Sequence, residues 1–80
     1  MVVFHNNARG KHIGRYLGVI APAPAYCYRG IVIEKEDGEH KTLWMDWEDA
    51  NETIKDQKIR RGDLLEICNT KKECYVEKLR

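Results

Sequence analysis

The sequence predicts an all-β domain with one short helix, closed into a small barrel of five strands. Three observations carry that prediction. Apolar residues recur mainly with a period of two, the spacing of a half-buried strand. An Asp-Gly pair at 37–38 divides two such stretches as a hairpin would. Finally, eighty residues make one domain. A chain of this size buries about 60–65% of its unfolded surface, so closing a sheet on itself is an economical way to hide its edges.

The first strand is read at HIGRYLGVIA, residues 12–21, with Ile13, Arg15, Leu17 and Val19 on one side and Gly14 and Gly18 as candidate bulges. Residues 1–11 precede it as an N-terminal arm or an extra strand. The APAPA stretch at 21–25 lacks two backbone donors and is read as an extended connector. The run YCYRGIVIEKEDGEHKTLWMDW supplies strands two and three. A two-residue turn at Asp37-Gly38 makes paired residue numbers sum to 75. Glu34 then faces Lys41, Arg29 faces Asp46, Tyr28 faces Trp47, and Ile31 faces Trp44. Trp44 is accordingly expected in the core with Ile31 and Ile33.

WEDANETIKDQK predicts a helix over about 49–57. Asp49 followed by Glu52 stands in for a capping box, and Ile54 is the residue that leans on the barrel. LLEIC (64–68) and CYVEKL (74–79) form the last hairpin, with Leu65, Ile67, Cys74 and Val76 inward. That register sends Cys68 and Cys74 to opposite faces, whereas a shift of register at the NTKKE turn would bring them together. Between helix and fourth strand lies IRRGDLLEI. Its RGD tripeptide matches a cell-adhesion tag, but adhesion needs a loop tip on an extracellular protein. Gly62-Asp63 is read instead as the turn that launches the strand.

Charge is nearly balanced overall, at +1, yet unevenly spread. Residues 1–33 carry +4 through Arg9, Lys11, Arg15 and Arg29. Residues 34–56 carry −6, and residues 57–80 carry +3. This is not the strong basic excess of a duplex-DNA binder. The two basic ends could still share a face. No stretch is long and apolar enough for a membrane helix, and the N-terminus lacks a signal-peptide pattern, so a cytoplasmic protein is expected. Cys27, Cys68 and Cys74 have no C-x-x-C spacing and no regular relation to His5, His12 or His40, so neither a metal nor another cofactor is expected. The chain contains no serine, no phosphate-loop pattern and no evident nucleophile–base pair. An enzyme is therefore not expected.

The order strand, strand, strand, helix, strand, strand resembles the OB-fold, a five-stranded Greek-key barrel with its helix between the third and fourth strands. RGIVIEKEDGEHKTLWMD and IRRGDLLEI are similar to the corresponding parts of bacterial translation initiation factor one and S1-type RNA-binding domains. The pattern G-x-V-x followed by G-D-x-L is also shared by SH3-like and KOW-type barrels, and an SH3-like barrel is the alternative. The OB resemblance implies a ligand surface on the strand 2–3 face and the adjoining 1–2 and 4–5 loops. It implies no catalytic residues.

Single-stranded nucleic acid, RNA above all, is thus the expected ligand. Such binding needs aromatic platforms beside cations. The candidates are Tyr16, Tyr26, Tyr28, Trp44 and Trp47, Trp44 being favoured for the core, with Arg15, Arg29, Arg60, Arg61, Lys71 and Lys72. The resemblance would place Tyr26, Tyr28, Arg29, Lys71 and Lys72 near one another. The alternative is a protein–protein adaptor or inhibitor using the acidic segment at 46–52, with Asp46, Trp47, Glu48 and Asp49 as its contacts.

Overall fold

The computed structural model describes residues 8–21 and 27–80. Five antiparallel strands and one helix account for most of them. The strands are β1 (Gly10–Ile20), β2 (Tyr28–Glu34), β3 (His40–Asp46), β4 (Leu64–Asn69) and β5 (Cys74–Lys78), and α1 (Trp47–Asp56) lies between β3 and β4. The strands form one sheet in the order β3-β2-β1-β4-β5, curled as a small barrel. Of the expected N-terminal arm, residues 10 and 11 already belong to β1, and residues 1–7 lie outside the described part. Pro22 to Tyr26, most of the expected connector, also lie outside it.

β1 makes the curl possible. Its first half, Gly10–Arg15, pairs with β4, and its second half, Arg15–Ile20, pairs with β2. The two halves meet near a bulge: Tyr16 opposes Ile33 while Gly18 opposes Val32, leaving Leu17 as the extra residue. A bulge bends a strand and increases its twist. The bulge foreseen at Gly18 is therefore where a single strand turns to serve both halves of the sheet.

The β2–β3 hairpin forms, but its register differs by one residue from the expected pairing. Partners sum to 74: Glu34 opposes His40, Val32 opposes Thr42, Ile31 opposes Leu43, and Gly30 opposes Trp44. The cause is the turn. Gly38 N–H donates to the Lys35 carbonyl at 2.9 Å, and Lys35 N–H donates to the Glu39 carbonyl at 2.8 Å. The loop therefore has three residues, with Gly38 closing it at φ +88. Such a loop is a type I turn followed by a left-handed residue. It has a physical advantage here, because a two-residue loop would have set Glu36 directly against Glu39. Trp44 consequently does not enter the core. Leu43 takes the inward place, fully buried beside Ile31 and Ile33.

Leu65 and Ile67 complete the floor of the core, with Tyr16, Val76, Ala50 and Ile59 around them. Each fully buried Ile or Leu contributes about 1.5–3 kcal/mol relative to exposure. The last hairpin pairs Ile67 with Val76 and Cys68 with Tyr75. All three cysteines are free, as the opposed faces of Cys68 and Cys74 require. Cys74, expected inward, is exposed at the strand end.

α1 starts earlier than expected. Its cap is Asp46, not Asp49: the Asp46 carboxylate accepts the Glu48 N–H at 3.0 Å. Glu48 and Asp49 then fall in the first turn, where acids oppose the positive end of the helix. Ala50 is fully buried, and Ile54, one turn later on the same face, packs on the core. A methyl at position 50 lets the helix axis approach closely, so Ala50 shares the docking role expected of Ile54 alone.

Among the described residues, no backbone hydrogen bond joins β3 to β5. Two other links act near that seam, one from β3 to β4 through Ala8 and one from the end of α1 to β5 through Gln57. Ala8 N–H donates to the Thr42 carbonyl at 2.8 Å, while the Asn69 amide donates to the Ala8 carbonyl at 2.8 Å. Further along, the Gln57 side chain donates to the Val76 carbonyl at 2.7 Å and accepts the Lys78 N–H at 2.6 Å. Gln57 thereby presents its primary amide to β5 as a neighbouring strand would present a peptide.

Candidate nucleic-acid interface

The register of the hairpin decides what the outer face of β1–β2–β3 carries. Gly18, Val32 and Thr42 form one row across it, and Ile20, Gly30 and Trp44 form the next. Tyr28 and Asp46 follow. Gly30 is the key to the surface. A Cβ there would lie 2.6 Å from the Thr42 methyl and 3.2 Å from Cδ2 of the Trp44 ring. The missing side chain is thus replaced by its neighbours, and the indole lies across the glycine. Ile20 and Tyr28 are 47% and 43% exposed beside it. The result is an apolar, partly aromatic patch on a sheet face.

The opposite end of the same face is cationic. Arg15 opposes both Glu34 and Leu64, at the junction of the two halves of the sheet. Its guanidinium donates to the Gly62 carbonyl at 3.3 Å, which ties it to the loop bearing Arg60 and Arg61. That loop is held rigidly. Gly62 N–H donates to the Tyr16 carbonyl and Tyr16 N–H to the Asp63 carbonyl, at 2.9 and 2.8 Å. The Asp63 carboxylate accepts the Arg60 N–H at 2.7 Å and pairs with Lys78 Nζ at 3.3 Å. The Arg60 N–H, and then Lys78, hold the Asp63 carboxyl below the usual carboxylate range. Lys78 also donates to the Lys58 carbonyl, and Leu64 N–H to that of Arg80. Arg60 and Lys78 therefore meet at Asp63, with Arg15 bound to the neighbouring Gly62 carbonyl.

The remaining candidates separate. Lys71 and Lys72 stand in the β4–β5 turn, and Lys71 lines a shallow recess with Arg9 and Gly10. This joins the two basic segments of the sequence a second time, because Gly10 and Lys11 pair with Asn69 and Cys68. It does not bring Lys71 and Lys72 to Tyr28 and Arg29, contrary to expectation. Tyr28 lies past the end of β1 where Ile20 meets Gly30, whereas Lys71 lies past the other end. The recess beside Ile13 is of mixed charge, lined by Lys11 and Lys35 as well as Glu36, Asp37 and Glu66.

Tyr16 is not available to a ligand. It is 8% exposed, packed in the core, and burial raises its phenol pKa. Tyr26 lies outside the described residues. Arg29 alternates with Tyr28 and so projects from the other side of β2; its guanidinium donates to the Tyr28 carbonyl at 2.8 Å. Of the acidic alternative, Asp46 is engaged as the helix cap, while Trp47 is 42% exposed on the first turn. The sequence favoured Trp44 for the core and did not single out Ile20, yet both lie on the outer face. The signal was Gly30, which marks a strand position where a neighbour must lie over the backbone.

Among the described residues, no group of three or more His, Cys, Asp or Glu side chains could hold a metal ion. The Tyr75 hydroxyl donates to the Glu66 carboxylate at 2.8 Å, and that bond, with burial, raises its pKa. Comparison with protein-family models, with curated proteins and with solved structures finds no match for this chain.

Proposed function

We propose that this domain is a non-enzymatic module that binds single-stranded nucleic acid across the outer face of β1–β2–β3. The observation that supports it best is the pairing of unlike groups on one surface. Tyr28, Trp44 and Ile20 offer flat apolar area at one end, and Arg15, tied to the loop that carries the exposed Arg60 and Arg61, offers cations at the other. Bases stack on the first and phosphates pair with the second, the combination that sequence-tolerant single-strand binding uses. A duplex would hide its bases from such a patch. RNA is preferred over DNA on the resemblance of the two hairpin and loop motifs to RNA-binding barrels.

The test is a titration of the intact chain with short oligouridine and oligodeoxythymidine, following tryptophan emission at low and moderate salt. Emission should fall on binding and affinity should drop with salt through release of counterions. Replacing Arg60→Glu together with Arg61→Glu should weaken binding and flatten the salt slope by roughly 1.4, about 0.7 per lost phosphate contact. An unchanged spectrum at low salt sinks the proposal. Preference for the deoxy oligomer removes the RNA part of it alone.

A further inference from the structure

We infer that the groove between α1 and the free edge of β5 takes an extended, lysine- or arginine-bearing segment of a partner protein, added as a further strand. The inference is independent of the nucleic-acid reading, since it concerns the opposite edge of the sheet.

Among the described residues, β5 is an end strand. Val76 O and Lys78 N–H turn away from β4 and meet Gln57. Backbone groups alternate in direction along an antiparallel strand, so the N–H and C=O of Cys74 and the N–H of Val76 point the same way. The bond from Thr70 N–H to the Glu73 carbonyl fits this phase. Gln57 therefore covers one end of the edge, and among the described residues no backbone hydrogen bond covers the end nearer the β4–β5 turn, which can serve as a template. Unpaired edges of this kind recruit extended chains.

An open groove of about 560 Å³ runs beside that template, with Met45, Cys74 and Val76 at its base and Asp49, Glu52 and Asp56 along its helical wall. The three acids fall on one face of α1 by their spacing. All are exposed, and Asp56 stands near the helix C-terminus, where an acid opposes the dipole. A strand laid on β5 would send alternate side chains toward this wall. Charge complementarity therefore selects lysine or arginine at alternating positions. Nucleic acid would bring phosphates against three carboxylates. A second copy joining edge to edge would set the same acidic walls against each other across a two-fold axis.

The probe is a labelled peptide of alternating lysine and threonine, with an otherwise identical peptide N-methylated at every second amide. Anisotropy measures affinity, and amide NMR reports on Cys74 and Val76. The lysine–threonine peptide should bind, shift both amides and slow their hydrogen exchange, and N-methylation should weaken it at least tenfold. The double variant Glu52→Gln, Asp56→Asn, which leaves the Asp46 cap untouched, should lose at least threefold in affinity. Absence of binding overturns the inference. So does equal binding of the methylated peptide, which would mean charge attraction without strand addition. Protection of Cys74 and Val76 on concentrating the protein alone would also overturn it, in favour of self-association.

Discussion

Gln57 is the residue whose loss should be most costly for its apparent modesty. It caps α1 and bridges β5 through two hydrogen bonds of 2.7 and 2.6 Å. Each such bond contributes about 0.5–1.5 kcal/mol net. Gln57→Ala removes both and exposes one end of β5, so a loss of about 2 kcal/mol is expected, equivalent to roughly 8–16 °C in unfolding midpoint for a domain this small. Urea unfolding followed by tryptophan emission gives the first number, and hydrogen exchange at the Lys78 amide localises it. Gln57→Glu separates the two bonds. The introduced carboxylate still accepts from Lys78 N–H but sets an acceptor against the Val76 carbonyl. Protonation restores a donor, so the folded-state pKa of that carboxyl is raised. Its stabilising contribution is then complete below the unfolded-state pKa and lost as pH rises through the raised value. The variant should therefore regain stability on mild acidification while the alanine variant does not. A destabilisation under about 0.5 kcal/mol for alanine, with unchanged exchange at Lys78, would refute the bridging role.

Three other perturbations test separate parts of the structure. Gly38→Ala meets nothing within 4 Å, so its cost comes from φ +88 alone, about 1–2 kcal/mol by urea unfolding; a neutral result would contradict the three-residue turn. Gly30→Val must displace Thr42 and Trp44 from the outer face, and it should shift tryptophan emission and weaken oligouridine binding while the melt stays cooperative. Asp63→Asn addresses the acid limb of stability. Because the folded Asp63 carboxyl is held below its ordinary value, its contribution is present above the unfolded pKa and lost as pH falls through the folded one. The asparagine variant should therefore show a flatter decline of stability under acid than the parent chain; an identical decline would remove Asp63 from the account.

The strands were legible because each obeys a local rule: alternation in LLEIC and CYVEKL, and turn chemistry at Asp37-Gly38 and Gly62-Asp63. IRRGDLLEI proved to be a boundary, with Gly62 in the turn at φ +94 and Asp63 folded back on the Arg60 N–H. Its Gly62 carbonyl also accepts from Arg15, which no local rule foretells, because β1 and β4 are adjacent only in the folded sheet. Tyr16 was misread for a related reason. Periodicity divides a strand into two faces but does not say which is inward, and the bulge at Leu17 resets the phase midway. Asp46 was overlooked as the cap since it ends a strand and begins a helix with no residue between. Gln57 gave no sequence signal at all. A polar residue after a helix reads as solvent-facing until the edge of β5 is placed beside it.

The consequence for function runs through the hairpin. Sums of 75 and 74 differ by one residue, yet they exchange Trp44 and Leu43 as the partner of Ile31. In the first arrangement the indole fills the barrel. In the second, a leucine fills it and the indole covers Gly30 on the outside. What selects the second is the Gly38 conformation together with avoidance of Glu36 against Glu39, both features of the loop tip rather than of the strands. The core accepts Leu43 beside Ile31 and Ile33 with no exposed surface on any of the three. Gly30 would be a weak strand residue without a ring above it. Loop, core and outer face thus favour the same register for three separate reasons. The aromatic patch proposed to hold bases depends on that agreement, so a change at Gly38 should reach a ligand on Trp44 through the strands between them.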